Sequence, residues 1–439
     1  MVLSWEGCFA GRGFTFFEHG SVRPLMDQRL FHRQYDNGLV LLGEHMPWLR
    51  SAAFSFLLPS GTCFEPTGFD GLSGMCSEMV QRGCGELDSR QFLERLDELG
   101  VERGSSITTS HTAFSCAMPA NVLSTVLGLY SDLVRAPHLP ADQISDARQL
   151  CLQELRALED EPSHRCFSEL KKFRYPLPFG RISQGSKQGL ERIDHQSLQA
   201  FFQANYKPSG SILAVAGNFQ WEEVCETVEQ RLGDWQGTPV VELPALHSNY
   251  GSLHVDHSTN QTHLALAYDC ASYESPEYYE ARALVGVLSD GMSSRLFSEV
   301  REKRGLVYSV FATCFSMAGQ GSVMCYAGTT TNRAEETLQV LLETIHSLGD
   351  GITADELERL KNRIKSSLVF EQESSAARSS QIASDWFYLG RVPDRAEVCA
   401  RVDGLTCEIL LDHFRRYLPK NFSLVTVGSQ SLALPEGTA

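Results

Sequence analysis

From Met26 onward, apolar residues alternate over short stretches and recur at helical spacing over longer ones, and the two patterns follow one another in a repeating order. Leu39, Val40, Leu41 and Leu42 come directly after Asp36, Asn37 and Gly38, the turn chemistry of a tight β-hairpin. A helical stretch over 194–205 runs through a turn into an apolar strand ending at Gly217, and 405–416 does the same, ending at Gly428. Tyr206, Pro208 and Gly217 reappear as Tyr417, Pro419 and Gly428 at a constant offset of 211. Capping patterns that open long helices stand at Pro140 and Thr353, offset by 213. Gly83 and Gly305, offset by 222, each sit where a helix gives way to a strand region. The chain therefore reads as two copies of one unit with the order strand, helix, strands, helices, strand. That order predicts an α+β fold of two homologous α/β-sandwich domains in tandem. The first domain spans 26–236 and the second 249–439. Pro239 and Pro244, with no periodicity around them, make 237–248 a linker.

Composition narrows the class. With 439 residues, the chain is too long for one ordinary core, in agreement with two domains. No apolar run approaches the roughly 20 residues needed to cross a bilayer, so no membrane association is expected. Residues 1–25 lack the apolar stretch of a secretory signal and read as either a disordered extension or a misplaced start, with no function assigned. The formal charge of −16 argues against nucleic acid, whose phosphates require clustered Lys and Arg. The 13 cysteines are odd in number, scattered and without a C-x-x-C pair, so neither a disulfide framework nor a zinc ribbon is indicated. Cys116, Cys270, Cys314 and Cys325 lie among apolar residues as small hydrophobes, and a reducing, cytoplasmic compartment follows by default.

The segment from Gly71 to Gly83, with Leu72, Gly74, Met75, Cys76, Ser77, Glu78 and Met79, resembles the zinc-bearing helix of the insulinase/pitrilysin (inverzincin) metallopeptidase family, in particular its short, two-domain, processing-peptidase-like members. Active members carry His-x-x-Glu-His there. Positions i, i+3 and i+4 share a helix face, so two imidazoles hold the zinc while the carboxylate takes a proton from the bound water. Here the three positions read Gly74, Ser77 and Glu78. The family's third ligand is a Glu on a later helix, and the spacing leads to Glu154. Gly74 offers no ligand and Ser77 no base, so the resemblance implies a degenerate site with no metal of its own. Glu78 and Glu154 then read as helix-surface carboxylates in the company of an arginine.

The second copy keeps more of the pattern. The segment from Gly291 to Val310 resembles the family's second-domain signature, in which an Arg near a helix end and a Tyr on the next strand donate hydrogen bonds to a substrate carbonyl. Arg301 and Tyr308 occupy those positions, with Gly305 between them, while Arg295 and Arg304 read as solvated or paired with acids. The resemblance covers about Leu30 to Gln430. It implies α-β roll domains that close like a clamshell around an unfolded peptide, and heterodimers in which one subunit carries the zinc motif and the other the Arg/Tyr pair.

The expectation is thus a pseudoenzyme: a zinc-less subunit that helps an active His-x-x-Glu-His partner, itself holding the zinc, to enclose and polarise peptides. The alternatives are a structural or assembly protein with the same fold and no role in proteolysis, and a self-sufficient zinc peptidase with a displaced metal site. Three other patterns weigh less. Gly180 to Lys187 is a near miss to a phosphate loop, with its Lys one place late. His254, Asp256, His257 and His263 have suggestive spacing, but Leu253 and Val255 alternate with them, so they read as solvated residues of a half-wet strand. No G-x-S-x-G elbow or nucleophilic cysteine motif is present.

Overall fold

The computed structural model describes residues 29–237, 244–317 and 319–435. The extension 1–25 and residues 238–243, half of the expected linker, lie outside them. β1 (Arg29–Gln34) and β2 (Val40–His45) form the hairpin anticipated around Gly38, whose φ of 88° suits a residue without a Cβ. They continue with β3 (Ser51–Leu58), β4 (Glu102–Ile107), β5 (Thr112–Pro119) and β6 (Ile212–Gly217) into a sheet ordered β1-β2-β6-β3-β5-β4. A second sheet holds β7 (Gly251–Asp256), β8 (Gln261–Cys270), β9 (Val307–Met317), β10 (Gln320–Thr330) and β11 (Ser423–Gly428), ordered β7-β11-β8-β10-β9. Without β1, the two orders are the same. The repeated strand lies parallel to the first strand of its copy in both halves, β6 beside β2 and β11 beside β7.

The helices repeat as well. In the first half α1 (Leu72–Val80), α2 (Ile144–Asp160), α3 (Pro162–Arg174) and α4 (His195–Asn205) correspond to α5 (Tyr278–Ser289), α6 (Ala354–Glu371), α7 (Ser375–Leu389) and α8 (Cys407–Arg416) in the second. One expectation is corrected by this correspondence. Gly83 and Gly305 do follow helical turns, but α1 matches α5, each following the equivalent strand of its half (β3 and β8), and α5 ends well before the turn at Gly305. α1, α2 and α4 bury Met75, Cys76, Met79, Ala147, Cys151, Leu155, Leu198 and Phe201 against Phe54, Phe56 and Phe114. The second half repeats this with Ala281, Leu284, Leu288, Leu360, Leu410 and Phe414 against Leu264, Leu266 and Cys325. Among the described residues no helix is long and apolar enough to cross a membrane.

Each sheet has a second face, and that face is covered by a helix from the other half. Cys166 and Leu170 of α3 pack on Ala265, Ala267, Val425 and Val427 of the second sheet. Ile382 and Ala383 of α7 pack on Val40, Leu42, Ala113, Ile212 and Ala214 of the first. The exchange also brings buried charge. The fully buried Arg174 bonds Asp269, Ser322 Oγ (3.1 Å) and Ser423 Oγ (2.8 Å) of the second sheet. Arg378 of α7 donates from Nε and Nη2 to Glu44 Oε2 of β2, at 2.9 and 2.7 Å. The two halves are interlocked rather than merely adjacent.

Candidate functional site

Gly74, Ser77 and Glu78 lie on α1 and Glu154 on the facing α2, and the structure brings all four to one cleft of about 690 Å³. The start of α1 is held by Glu65, which accepts from Ser73 Oγ (2.6 Å), Ser73 N (3.0 Å) and Gly71 N (3.2 Å). Its carboxylate supplies the acceptor that the first amides of the helix lack, and burial pushes its pKa up to about 7. Arg181, almost wholly buried, joins this support to the loop after α3. It bonds Asp70 Oδ1 (3.0 Å), Glu65 O (2.6 Å) and Thr62 O (3.3 Å). That loop lies on α1: a Cβ placed at Gly74 would stand 2.8 Å from Ser183 O, a backbone atom with no freedom to step aside.

Glu78 is ion-paired with Arg82 one turn on, at 3.0 Å, and Arg82 is held in turn by Gln143. The arginine anticipated beside these carboxylates is therefore Arg82. Glu154 has no hydrogen-bond or ion-pair partner among the described residues. Partial burial, and then the neighbouring Glu78, hold its pKa above the usual carboxylate value. Cys151 lines the same cleft, but burial pushes its thiol up to about 12, so it stays protonated at neutral pH.

These residues do not fit zinc. Zinc sites are built from imidazole, thiolate and carboxylate ligands in tetrahedral geometry. Of the two ligand positions on α1, Gly74 has neither a side chain nor room for one and Glu78 is engaged with Arg82, while at the base position between them Ser77 offers only a hydroxyl. Among the described residues no group of three or more His, Cys, Asp or Glu is placed to hold a metal ion. Restoring the motif as Gly74→His, Ser77→Glu and Glu78→His is expected to give no stoichiometric zinc by metal analysis. Gly74→Ala alone is expected to lose about 1–3 kcal/mol in a urea titration, because the contact with Ser183 outweighs the helix preference for Ala.

Arg301 and Tyr308 stand in a different setting. Arg301 is on a wide helical turn, Phe297–Glu302, in which Lys303 N reaches back five residues to Ser298 O at 3.0 Å. Such π-type turns are rare and collect at functional sites. Arg333 pins the exit of the turn, donating to Gly305 O and Arg304 O at 2.8 Å each. β9 then bulges: Val307 pairs with Thr329 and Ser309 with Gly328, leaving Tyr308 as the extra residue. The bulge turns Tyr308 outward to 85% exposure. The Arg301 guanidinium lies between two rings, 4.9 Å from the centroid of Phe297 and 5.2 Å from that of Tyr308. It has no acidic partner among the described residues, whereas Arg295 is spent on Glu356 and Arg304 on Glu299. Phe297 is a neighbour of Arg301 that the sequence motifs do not single out, although an aromatic one helical turn before an arginine is a readable signal for such a stack.

The remaining candidates take structural roles. His254 Nδ1 meets Thr426 Oγ1 at 2.8 Å. His263, expected in solvent, is only 5% exposed and meets Tyr326 OH at 2.7 Å. The alternation that suggests a half-wet face belongs to β7, whereas His263 lies on β8, on the face that α3 of the other half covers, with Cys166 against His263 O. The segment from Gly180 to Lys187 is a loop leading into a short helix that starts at Lys187.

A fold of two homologous α/β units, with a cleft at the helix of a zinc motif, defines a metallopeptidase scaffold. Residues 40–177 match the family model for insulinase, peptidase family M16, and residues 192–364 that for the peptidase M16 inactive domain. The chain belongs to the insulinase (M16) peptidase family and lacks its zinc motif. It is similar to the uncharacterized zinc protease YmxG of Bacillus subtilis, at 24% identity over 89% of this chain and 96% of the relative. An uncharacterized zinc protease of Rickettsia bellii is 23% identical over 90% and 97% of the two chains. Among solved structures, a peptidase M16 inactive domain from Pseudomonas fluorescens superposes with a TM-score of 0.85 at 21% identity, covering 93% of this chain and 99% of that one. A protease from Helicobacter pylori gives 0.84 at 18% identity, covering 91% and 99%.

Proposed function

We propose that this chain is the non-catalytic subunit of a two-chain M16 peptidase. A homologous partner with an intact His-x-x-Glu-His would hold the zinc, and this chain would contribute one wall of the peptide chamber together with Arg301 and Tyr308. The observation that carries the reading is the contrast between the chain's two motif sites. Of the zinc-ligand positions on α1, Gly74 is closed off by Ser183 and Glu78 is paired with Arg82, while Arg301 and Tyr308 are displayed on a π-type turn and a bulge, with no acidic partner among the described residues to consume them. A guanidinium and a phenol placed together donate to an oxygen that gains negative charge, the requirement at a peptide carbonyl under attack.

The first-half cleft suits a peptide too. β4 is the free edge of its sheet and Ser105, Ser106 and Ile107 line the cleft, so an extended chain can add there through backbone hydrogen bonds. Tagged chain expressed with its genomic neighbours is expected to retain a homologue carrying His-x-x-Glu-His. The complex, and not this chain alone, is expected to cleave unstructured peptides and to contain about one zinc per pair. Zinc and cleavage in the isolated chain, or a complex without the motif-bearing subunit, would sink the reading.

A further inference from the structure

The cleft that lost its metal is not chemically neutral. Glu78, Glu154 and Glu161 line it together with His164, and among the described residues no Lys or Arg does, since Arg82 reaches Glu78 from outside the lining. Glu154 is unpartnered, and Arg82 takes Oε1 of Glu78, leaving Oε2. A cluster of acids alone is often just a solvated surface. Here a second feature stands beside it: Ser77, on the same turn of α1, is 2% exposed and its hydroxyl has no hydrogen-bond partner among the described residues. A buried, unsatisfied hydroxyl at the base of an acidic cleft is a cost that a donor-rich ligand would remove.

We infer that the former zinc cleft is a receptor for a primary ammonium group, with Glu78 and Glu154 supplying charge and Ser77 Oγ an acceptor at its base. A primary ammonium carries three donors and no acceptor, which matches a set of two carboxylates and one hydroxyl. Where the family's active members place a metal cation, this chain would place an organic one. The inference deepens the peptide-holding reading and rests on it for the identity of the ligand, a lysine side chain or the α-amine of a peptide lying along β4. It does not depend on Arg301, Tyr308 or a partner subunit.

The test uses the full chain without a partner and three short, unstructured, fluorescein-labelled peptides of one sequence. One has an acetylated N-terminus and a single lysine. One has a free N-terminus and norleucine in place of the lysine. One is acetylated and carries norleucine. Fluorescence anisotropy is expected to show one of the amine-bearing peptides binding about ten-fold or more tightly than the blocked one, the size of a charge-assisted hydrogen bond. Which of the two is favoured separates side chain from terminus. Glu154→Gln and Ser77→Ala are expected to erase the preference while their melting temperatures stay close to that of the parent. Equal binding of all three peptides, binding by none, or a preference that survives both substitutions would overturn the inference. Because no partner is present, such a failure leaves the test of the two-chain reading intact.

Discussion

Glu44→Gln is expected to lower the stability of the chain by about 3–5 kcal/mol, because it breaks a buried ion pair that ties the two halves together. Glu44 is 1% exposed in β2, and the Arg378 guanidinium that it accepts from sits on a helix of the other half, 334 residues away in sequence. Removing the carboxylate charge leaves the buried guanidinium, at the seam between α7 and the first sheet, with only its longer contact to Glu371 at 3.8 Å. Removing both members together, as Glu44→Leu with Arg378→Met, replaces charge with packing and is expected to cost much less than the sum of the single changes. Urea titrations of the parent, the two single variants and the double variant measure this coupling. They also read the interlock. Since α3 and α7 are exchanged between sheets, neither half can unfold with its own complement of helices intact, and the parent is expected to unfold in one transition. Two separated transitions in the parent, or additive single and double changes, would contradict the exchange.

That exchange is the part of the fold that could not be read from the chain. The repeat itself was legible because its signal is local: Tyr206, Pro208 and Gly217 recur as Tyr417, Pro419 and Gly428, and the strands they introduce end at Gly217 and Gly428 in equivalent places of the two sheets. The meeting of Gly74, Ser77, Glu78 and Glu154 was legible for a related reason, since spacing along α1 places the first three and the family resemblance points to the fourth. What a helix covers is a different kind of fact. The buried stripe of α3 is Cys166, Leu170 and Arg174, which says that one face is covered but not by which sheet. Arg174 and Arg378 read as surface charges by composition and are buried by partners far away in sequence. The same gap hides the burial of His263. Spacing groups it with His254 on β7, where alternation suggests a wet face, but it lies on β8, and the helix that covers its face belongs to the other half. The loop over Gly74 was equally silent, because a glycine declares only that a Cβ is absent and not which backbone atom takes its space.

In a complex with a zinc-bearing subunit, Arg301→Ala and Tyr308→Phe are each expected to lower kcat by about 100- to 1,000-fold, the usual effect of removing one donor from an oxyanion site. Both residues lie on the surface of this chain, so the melting temperature and the affinity between subunits should not change with them. The loss should fall on kcat more than on KM, because the donors meet an oxygen whose charge appears only as the carbonyl is attacked. The stack of Phe297, Arg301 and Tyr308 adds a sharper expectation. Arg301→Lys keeps the charge but loses the planar fork that lies between the rings, and should recover little of the rate. Phe297→Leu removes one face of the stack without touching the substrate, and should give an intermediate loss of about ten-fold through a less ordered guanidinium. Since Arg301 and Tyr308 touch each other, the double variant should be only slightly worse than the poorer single one. Full additivity would mean that the two act at separate points. An unchanged kcat in all of these variants would remove the Arg301/Tyr308 pair from the chemistry and leave this chain only the wall of the chamber.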